Sequence, residues 1–428
     1  MFEKVTQVFK IRDLRNKILF ILFIFAIFRI MSNIPIPGII QNKEVAQAFF
    51  NQFTTFGVLN VFTGGALDKF SIVMLGLGPY ITSTVILQLL TMIFPQLEKI
   101  YREEGEAGRQ KFTQYGRILT VPLAALNAYG MLALFQRQRV IGQLSALLTF
   151  NSVITITAGA VFLMWLGELI SEKGIGEGTS LLIFAGIIAD FPTNILQIIN
   201  LVKTQKLPIY SYLLFFVMAF IILIGVIIIN DARRNIPVSY AKRVRGSKMY
   251  GGVSTYLPLN INPAGVMPII FALSILTFPA MIANFLVGFP GKIGSIAQSV
   301  GKFFQNGWVY GILEFFLVFL FTFFYTLVTF DPDNVSENLQ KSGGFIPGIR
   351  PGDSTAKFLS HVLNRILPIG ALFLAIIALT PTIIGNVTKI LAFKFLVGGT
   401  SLLILVNVIL ETVRQIKSQL EMREYETF

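Results

Sequence analysis

The sequence predicts an all-α polytopic membrane protein: ten transmembrane helices in two inverted five-helix halves, with one re-entrant segment. Three observations carry this. The 428 residues are 54% hydrophobic and only 13% charged, with mean hydropathy +0.71, whereas an average soluble domain is roughly a quarter charged. The apolar residues fall into ten runs, each near the ~20 residues needed to cross a bilayer. The basic residues divide unequally between the two sides those runs define.

The first run, 18–34, follows a basic lead and ends in Pro35-Ile36-Pro37-Gly38. It lacks a small-x-small cleavage site, so no cleavable signal peptide is expected. The others cover 73–94, 117–136, 152–171, 179–200, 210–229, 263–286, 308–329, 366–386 and 395–412. Segment 56–71 (FGVLNVFTGGALDKFS) is different. Gly64-Gly65 breaks it, and Asp68 and Lys69 charge it. It is too short and too polar to cross alone.

Charge counting fixes its path. Ten spans leave 24 of the 35 Lys and Arg on the side of the termini and 10 on the other, with Arg29 inside span one. The positive-inside rule then puts both termini in the cytoplasm. An eleventh span at 56–71 would invert every later loop and reverse the bias. The segment is therefore expected to enter from outside and return. Irregular backbone at that depth survives only where protein covers it or a cavity adjoins it.

Each half holds five spans, 1–205 and 206–428, with the break near 204–208. An odd number inserts consecutive halves in opposite orientation, the plan that places a site at their interface. Polar candidates there are few. Arg29 lies one turn from the outer end of span one and is expected to snorkel. Glu168 and Glu314 sit near span ends, and Asp190 is the deepest acid. A solute transporter would have to be built on Asp190. His361, the only histidine, falls in a cytoplasmic loop and reads as a surface residue. Cysteine is absent, which removes disulfides, thiolate metal sites and thiol nucleophiles. No hydrolase, metalloprotease or P-loop motif occurs, and Gly174-Ile175-Gly176-Glu177-Gly178 reads as a tight turn. Neither an enzyme nor a cofactor or metal site is expected.

Two cytoplasmic loops look like docking surfaces. Residues 230–262 hold Arg233, Arg234, Lys242, Arg243, Arg245 and Lys248 against one acid, Asp231. Such a run suits anionic lipid, RNA phosphate or an acidic protein. Residues 330–365 form a long polar stretch around Gly343–Gly352, whose four glycines and two prolines imply a turn-rich shape presenting Arg350.

Ordered motifs along nearly the whole chain resemble the SecY family of protein-conducting translocon subunits. They include Ile34–Gly38, Phe62–Leu67, Gly78–Ile81, Gln88–Leu90, Glu104–Arg109, Gly174–Ser180, Arg234–Val238, Ala241–Arg243, Pro258–Asn260, Gly265–Pro268, Gly343–Gly352 and Gly398–Leu403. Glu177 stands where the family typically has Asn, and Ser247-Lys248-Met249 is less basic than in some relatives.

The resemblance implies a channel of the general secretory pathway in the bacterial inner membrane. It would pass unfolded polypeptides and release hydrophobic segments sideways. It implies a pore ring of Leu77, Ile81, Ile183, Ile187, Ile270 and Ile404. A plug at 56–71 would include Phe62, Thr63, Gly64, Gly65, Ala66 and Leu67. A lateral gate between spans two–three and seven–eight would include Thr82, Ser83, Thr84, Val85, Gln88, Ser274, Thr277, Phe278 and Asn284, its polar members holding the seam by weak hydrogen bonds. Docking would use Arg234, Lys242, Arg243, Arg245, Lys248 and Arg350. The implied partners are SecE, SecG, the SecA ATPase, the translating ribosome, signal peptides and nascent chains, with anionic lipid alongside and no DNA. An aliphatic ring suits the task. It grips any side chain weakly, and a narrow apolar constriction dewets when empty.

Overall fold

The computed structural model describes residues 11–39, 45, 60–102, 104–205, 209–240, 243–245, 248–250, 254–286, 291–305, 307–388 and 399–426. Its helices are α1 (Arg12–Met31), α2 (Gly78–Ile93), α3 (Pro95–Arg102), α4 (Gly105–Arg137), α5 (Ala146–Lys173), α6 (Gly178–Gln205), α7 (Ile209–Asp231), α8 (Met267–Leu286), α9 (Lys292–Gln305), α10 (Gly307–Thr329), α11 (Pro332–Lys341), α12 (Asp353–Thr388) and α13 (Gly399–Glu426). Each predicted span overlaps its own long helix. Over the described residues alone, stretches 105–137, 146–173, 307–341 and 353–383 are long and apolar enough to cross a membrane, and the bent pair α2–α3 makes a fifth. The break between the halves near 204–208 falls largely outside the described residues.

Boundaries follow local chemistry. Pro79 suits the first turn of α2, where its missing N–H costs nothing. Phe94 is extended ahead of Pro95, as a residue before proline prefers, and α3 leaves α2 at 113°. The main apolar core joins α1, α2, α5, α6, α7, α8, α10, α12 and α13. A second core, around Leu67, Phe70, Met131 and Phe135, closes one flank of the segment before α2.

The polar segments after α7 and α10 differ from the all-helical expectation. Residues 233–260 form strands, not an open loop. β1 (Arg233–Tyr240) pairs antiparallel with β4 (Ser254–Asn260), and β2 (Arg243–Arg245) with β3 (Lys248–Tyr250). Ile236 and Val238 alternate inward along β1, the period of two that a half-buried strand requires. The 330–365 stretch is also more regular than its composition suggested. Asp331 caps α11, accepting from the Asp333 and Asn334 amides, and α12 already begins at Asp353. Turn structure is confined to 342–352. Within it, β5 (Gly344–Phe345) adds to β1 in the order β4-β1-β5. The two predicted docking loops are thus one unit, packed on Ile236, Val238, Leu259, Ile346 and Leu359.

The α5–α6 connection is the tight turn the sequence indicated, with Gly176 at φ +94°. Glu177 ends it. Its carboxylate accepts from the Thr179 and Ser180 hydroxyls, each at 2.9 Å. Burial nevertheless dominates and raises the carboxyl pKa, the two hydroxyls only opposing it. A raised folded-state value means the ionised form is disfavoured in the fold. That cost is absent below the ordinary Glu range, about 4.3, and complete above the raised value. The Glu177→Gln variant should therefore melt higher than the parent at pH 7. The difference should shrink as pH falls toward that range, in melting curves recorded across pH.

Candidate conduit, plug and gate

The six predicted ring residues come from four helices and one helix start. Leu77 is not inside α2, as the span boundary implied. It stands at the N-cap, where its carbonyl accepts from the Ile81 amide at 3.0 Å. Ile183 and Ile187 lie one turn apart on α6, Ile270 in the first turn of α8, and Ile404 on α13. Five of the six are buried, and Ile81 is half-buried against the cluster they share.

Two cavities adjoin this cluster. One, of about 100 Å³, is mostly apolar and bounded by Phe62, Thr63 and Leu67. The other, of about 210 Å³, is polar and bounded by Tyr80, Gln88, Glu168, Glu177 and Tyr325. Ile81, Ile183 and Ile270 line both. They lie where the two cavities meet. Leu77 lines the apolar cavity alone, while Ile187 and Ile404 pack in the cluster and line neither.

The apolar cavity is capped by residues 60–71, the described part of the predicted plug. Gly64 and Gly65 take φ +65° and +76°, a region side-chain-bearing residues avoid. They fold the chain back so that the Gly65 amide reaches the Asn60 carbonyl at 3.0 Å. Asn60 then closes the loop through its side chain. Its Nδ2 donates to Asp68 Oδ2 at 2.7 Å, and its Oδ1 accepts from the Asp68 amide at 3.0 Å. Thr63, Gly64, Gly65, Ala66 and Leu67 are buried and Phe62 is half-buried.

What holds this segment was only partly legible. Arg29 does not snorkel. Its Nη1 donates to the Gly64 carbonyl at 2.9 Å. Lys69 donates to Asn33 Oδ1 at 2.7 Å, and Ile36 and Ile72 exchange backbone bonds with Phe70 and Ile34. On α6 the contact is backbone to backbone. A Cβ built on Gly186 would stand 2.5 Å from the Phe62 carbonyl oxygen, and one on Gly65 2.8 Å from Asp190 Oδ1. Asp190 and Arg29 therefore flank the plug rather than a solute site. No sequence pattern singled out Gly186. Its requirement appears only once the plug is seen to lie across α6.

At the predicted gate, α8 packs against α2 and α4. The expected polar seam is not built as anticipated. Ser83 is fully buried and bonds Gly116 O at 3.0 Å and Thr120 Oγ1 at 2.8 Å, both on α4. Thr82 and Thr84 donate to Gly78 and Ile81 on their own helix. Gln88 Oε1 is buried without a hydrogen-bond partner, Val85 is buried, and Ser274 lines the apolar cavity. Opposite, Phe271 of α8 meets Phe321 and Tyr325 of α10 edge-on. The described bonds thus tie each side of the seam to itself. The side chains of Thr277, Phe278 and Asn284 lie outside the described residues.

On the unit built around the β4-β1-β5 sheet, Arg234 is exposed on β1. Arg350 is exposed on a turn whose neighbour Ile346 is buried at 3%. The Arg350 carbonyl accepts from Thr355 Oγ1 and the Gly352 carbonyl from Ser336 Oγ, which fixes the turn. Arg243, Arg245 and Lys248 lie on the β2–β3 hairpin, and Lys242 is outside the described residues. His361 is exposed, as expected.

Comparison with known proteins agrees with this geometry. The family model SecY matches residues 71–413. Over the full length of both chains, the sequence is 44% identical to the protein translocase subunit SecY of Streptomyces galbus. It is 41% identical to that of Thermus thermophilus, covering all of this chain and 98% of the relative. Among solved structures, a protein-conducting channel superposes with TM-score 0.65 at 18% identity, covering 93% of this chain and 91% of that one. The channel of the canine ribosome–Sec61 complex superposes with TM-score 0.60, also at 18% identity and with the same coverage. With a fold this similar and a family model covering most of its length, the chain belongs to the SecY family.

Proposed function

We propose that this chain is the protein-conducting channel of a Sec translocase, and that Leu77, Ile81, Ile183, Ile187, Ile270 and Ile404 form its constriction. The observation that carries this is the aliphatic cluster where an apolar, plug-capped cavity meets a polar one. An unfolded chain would enter through the polar side, part the aliphatics, and displace residues 60–71 outward. The aliphatic side chains grip any residue weakly, which suits a substrate of any sequence. Hydrophobic segments leave between α2–α4 and α8–α10. There the seam is mainly apolar contact, and partition into lipid favours Leu, Ile, Phe and Val by about 0.3–0.6 kcal/mol each.

The energy source lies outside the chain. Arg350 and the basic strands 233–250 receive the SecA ATPase and the translating ribosome, with anionic lipid beneath. SecE clamps the halves 1–205 and 206–428, related as inverted repeats, and SecG completes the complex. The setting is the bacterial inner membrane with both termini cytoplasmic, supported by the asymmetry of Lys and Arg. Signal peptides and nascent chains are the substrates.

A stalled secretory chain should cross-link to photoreactive side chains introduced at Ile81, Ile270 and Ile404. Labelling absent from all three would refute the conduit. Seal integrity gives a second check. Alanine is the better helix former by about 1 kcal/mol, so the Gly186→Ala change should leave α6 intact while its Cβ pushes on Phe62. We expect ion leak through vesicles holding the resting complex to rise roughly tenfold, the equivalent of about 1.4 kcal/mol against the closed state. The docking turn separates recognition from stability. The Arg350→Glu change should cut motor-driven transport at least about tenfold without altering thermal stability. Ile346→Ala should instead cost about 2–5 kcal/mol locally, as buried Ile truncations do, read as faster amide exchange in β1 and β5.

A further inference from the structure

Helix α9 (Lys292–Gln305) takes no part in the functions above. It connects α8 to α10 on the side opposite the termini and packs against both. With about 100° between successive residues, its side chains sort into three arcs. Gly294, Ala297 and Gly301 are buried, so the helix lies close on the protein. Ile296, Val300 and Phe303, spaced i, i+4 and i+7, are exposed by 63, 36 and 52%. The remaining arc is polar. Gln298 is exposed there, and the Ser295 and Ser299 hydroxyls bond the Lys292 and Ser295 carbonyls. Directly after α9 in the chain, Trp308, Ile312 and Phe316 at the start of α10 are exposed as well. That surface belongs to a membrane-spanning helix, and a Trp at its end is typical of the membrane–water boundary.

We propose that α9 is an interfacial helix. Its Ile296–Val300–Phe303 stripe sits among the upper acyl chains of the outer leaflet, and its polar arc faces headgroups and water. The occupant is a lipid surface. A small face toward protein, an apolar face beside it and a polar face opposite is the arrangement an in-plane helix needs. A protein partner would have no cause to adjoin the lipid-facing side of α10. Because α9 is fastened to α8 and α10, the leaflet holds the outer end of this side of the seam at a set depth.

The chain has two tryptophans, Trp165 and Trp308, so converting both to Phe, together with any in the partner subunits, gives a silent background. In that background the Phe303→Trp variant, in the assembled translocase, is reconstituted into vesicles of brominated phospholipid. Its indole should emit blue-shifted light. It should lose more fluorescence to bromines near the acyl carbonyl end than near the terminal methyl. The Gln298→Trp variant, on the polar arc, should lose clearly less. Equal quenching at 298 and 303, no quenching at 303, or stronger quenching by deep bromines overturns the proposal. So does quenching at 303 that appears in the isolated chain but vanishes in the complex, which would mark a protein interface. Correct folding of both variants is checked by equal binding of a fluorescent signal peptide.

Discussion

Inside a bilayer no water is at hand for an idle polar atom, so an irregular segment at membrane depth must find its partners in protein. The plug satisfies this constraint in a particular way. Its own turn absorbs Asn60, Gly65 and Asp68. Its Gly64 carbonyl is met by a guanidinium from α1, and its Phe62 carbonyl lies against bare backbone at Gly186. A segment closed on itself can leave as a unit. Few external bonds must break, and the bonds that give it shape travel with it. The apolar cavity of about 100 Å³ lies against that unit and is lined by its Phe62, Thr63 and Leu67.

The same economy governs the seam. Had Ser83, Thr82 and Thr84 bonded across it, opening would expose unpaired hydroxyls to acyl chains, at a cost of a few kcal/mol for each group left bare. Instead Ser83 joins α2 to α4, and aromatic edges join α8 to α10. Each side is a preassembled pair. What remains between them is largely dispersion and apolar contact, which lipid replaces at little loss. The described hydrogen bonds lie within each helix pair and not between the pairs.

These distinctions explain what the sequence could reveal. Spans were legible because bilayer thickness sets length, and hydropathy records it directly. The re-entrant segment was legible through charge balance, a property of the whole chain. The aliphatics at 77, 81, 183, 187, 270 and 404 were individually indistinguishable from core. Only the family resemblance selected them, and only the fold shows three of them between two cavities. The role of Arg29 was misread because snorkelling is judged from distance to a helix end, whereas its partner is 35 residues away. The β1–β4–β5 sheet was missed for another reason. Its strands are short, interrupted by Pro237 and Pro258, and buried on one face only, so composition resembled a polar loop.

That sheet ties the two polar segments into one body. With β5 hydrogen-bonded to β1, a force on the turn around Arg350 is delivered to both polar segments at once. The turn leads into α12 through Asp353, and β1 leads back into α7 through Asp231. Arg414 of α13 binds both Asn230 O and Asp231 Oδ1 at that junction, at 2.9 and 2.8 Å. α13 also carries Ile404, and it packs against α6, which bears Ile183 and Ile187. Arg414 thus ties α13 to the α7–β1 junction, so the sheet and the helices that carry Ile183, Ile187 and Ile404 form one contiguous body of packed elements.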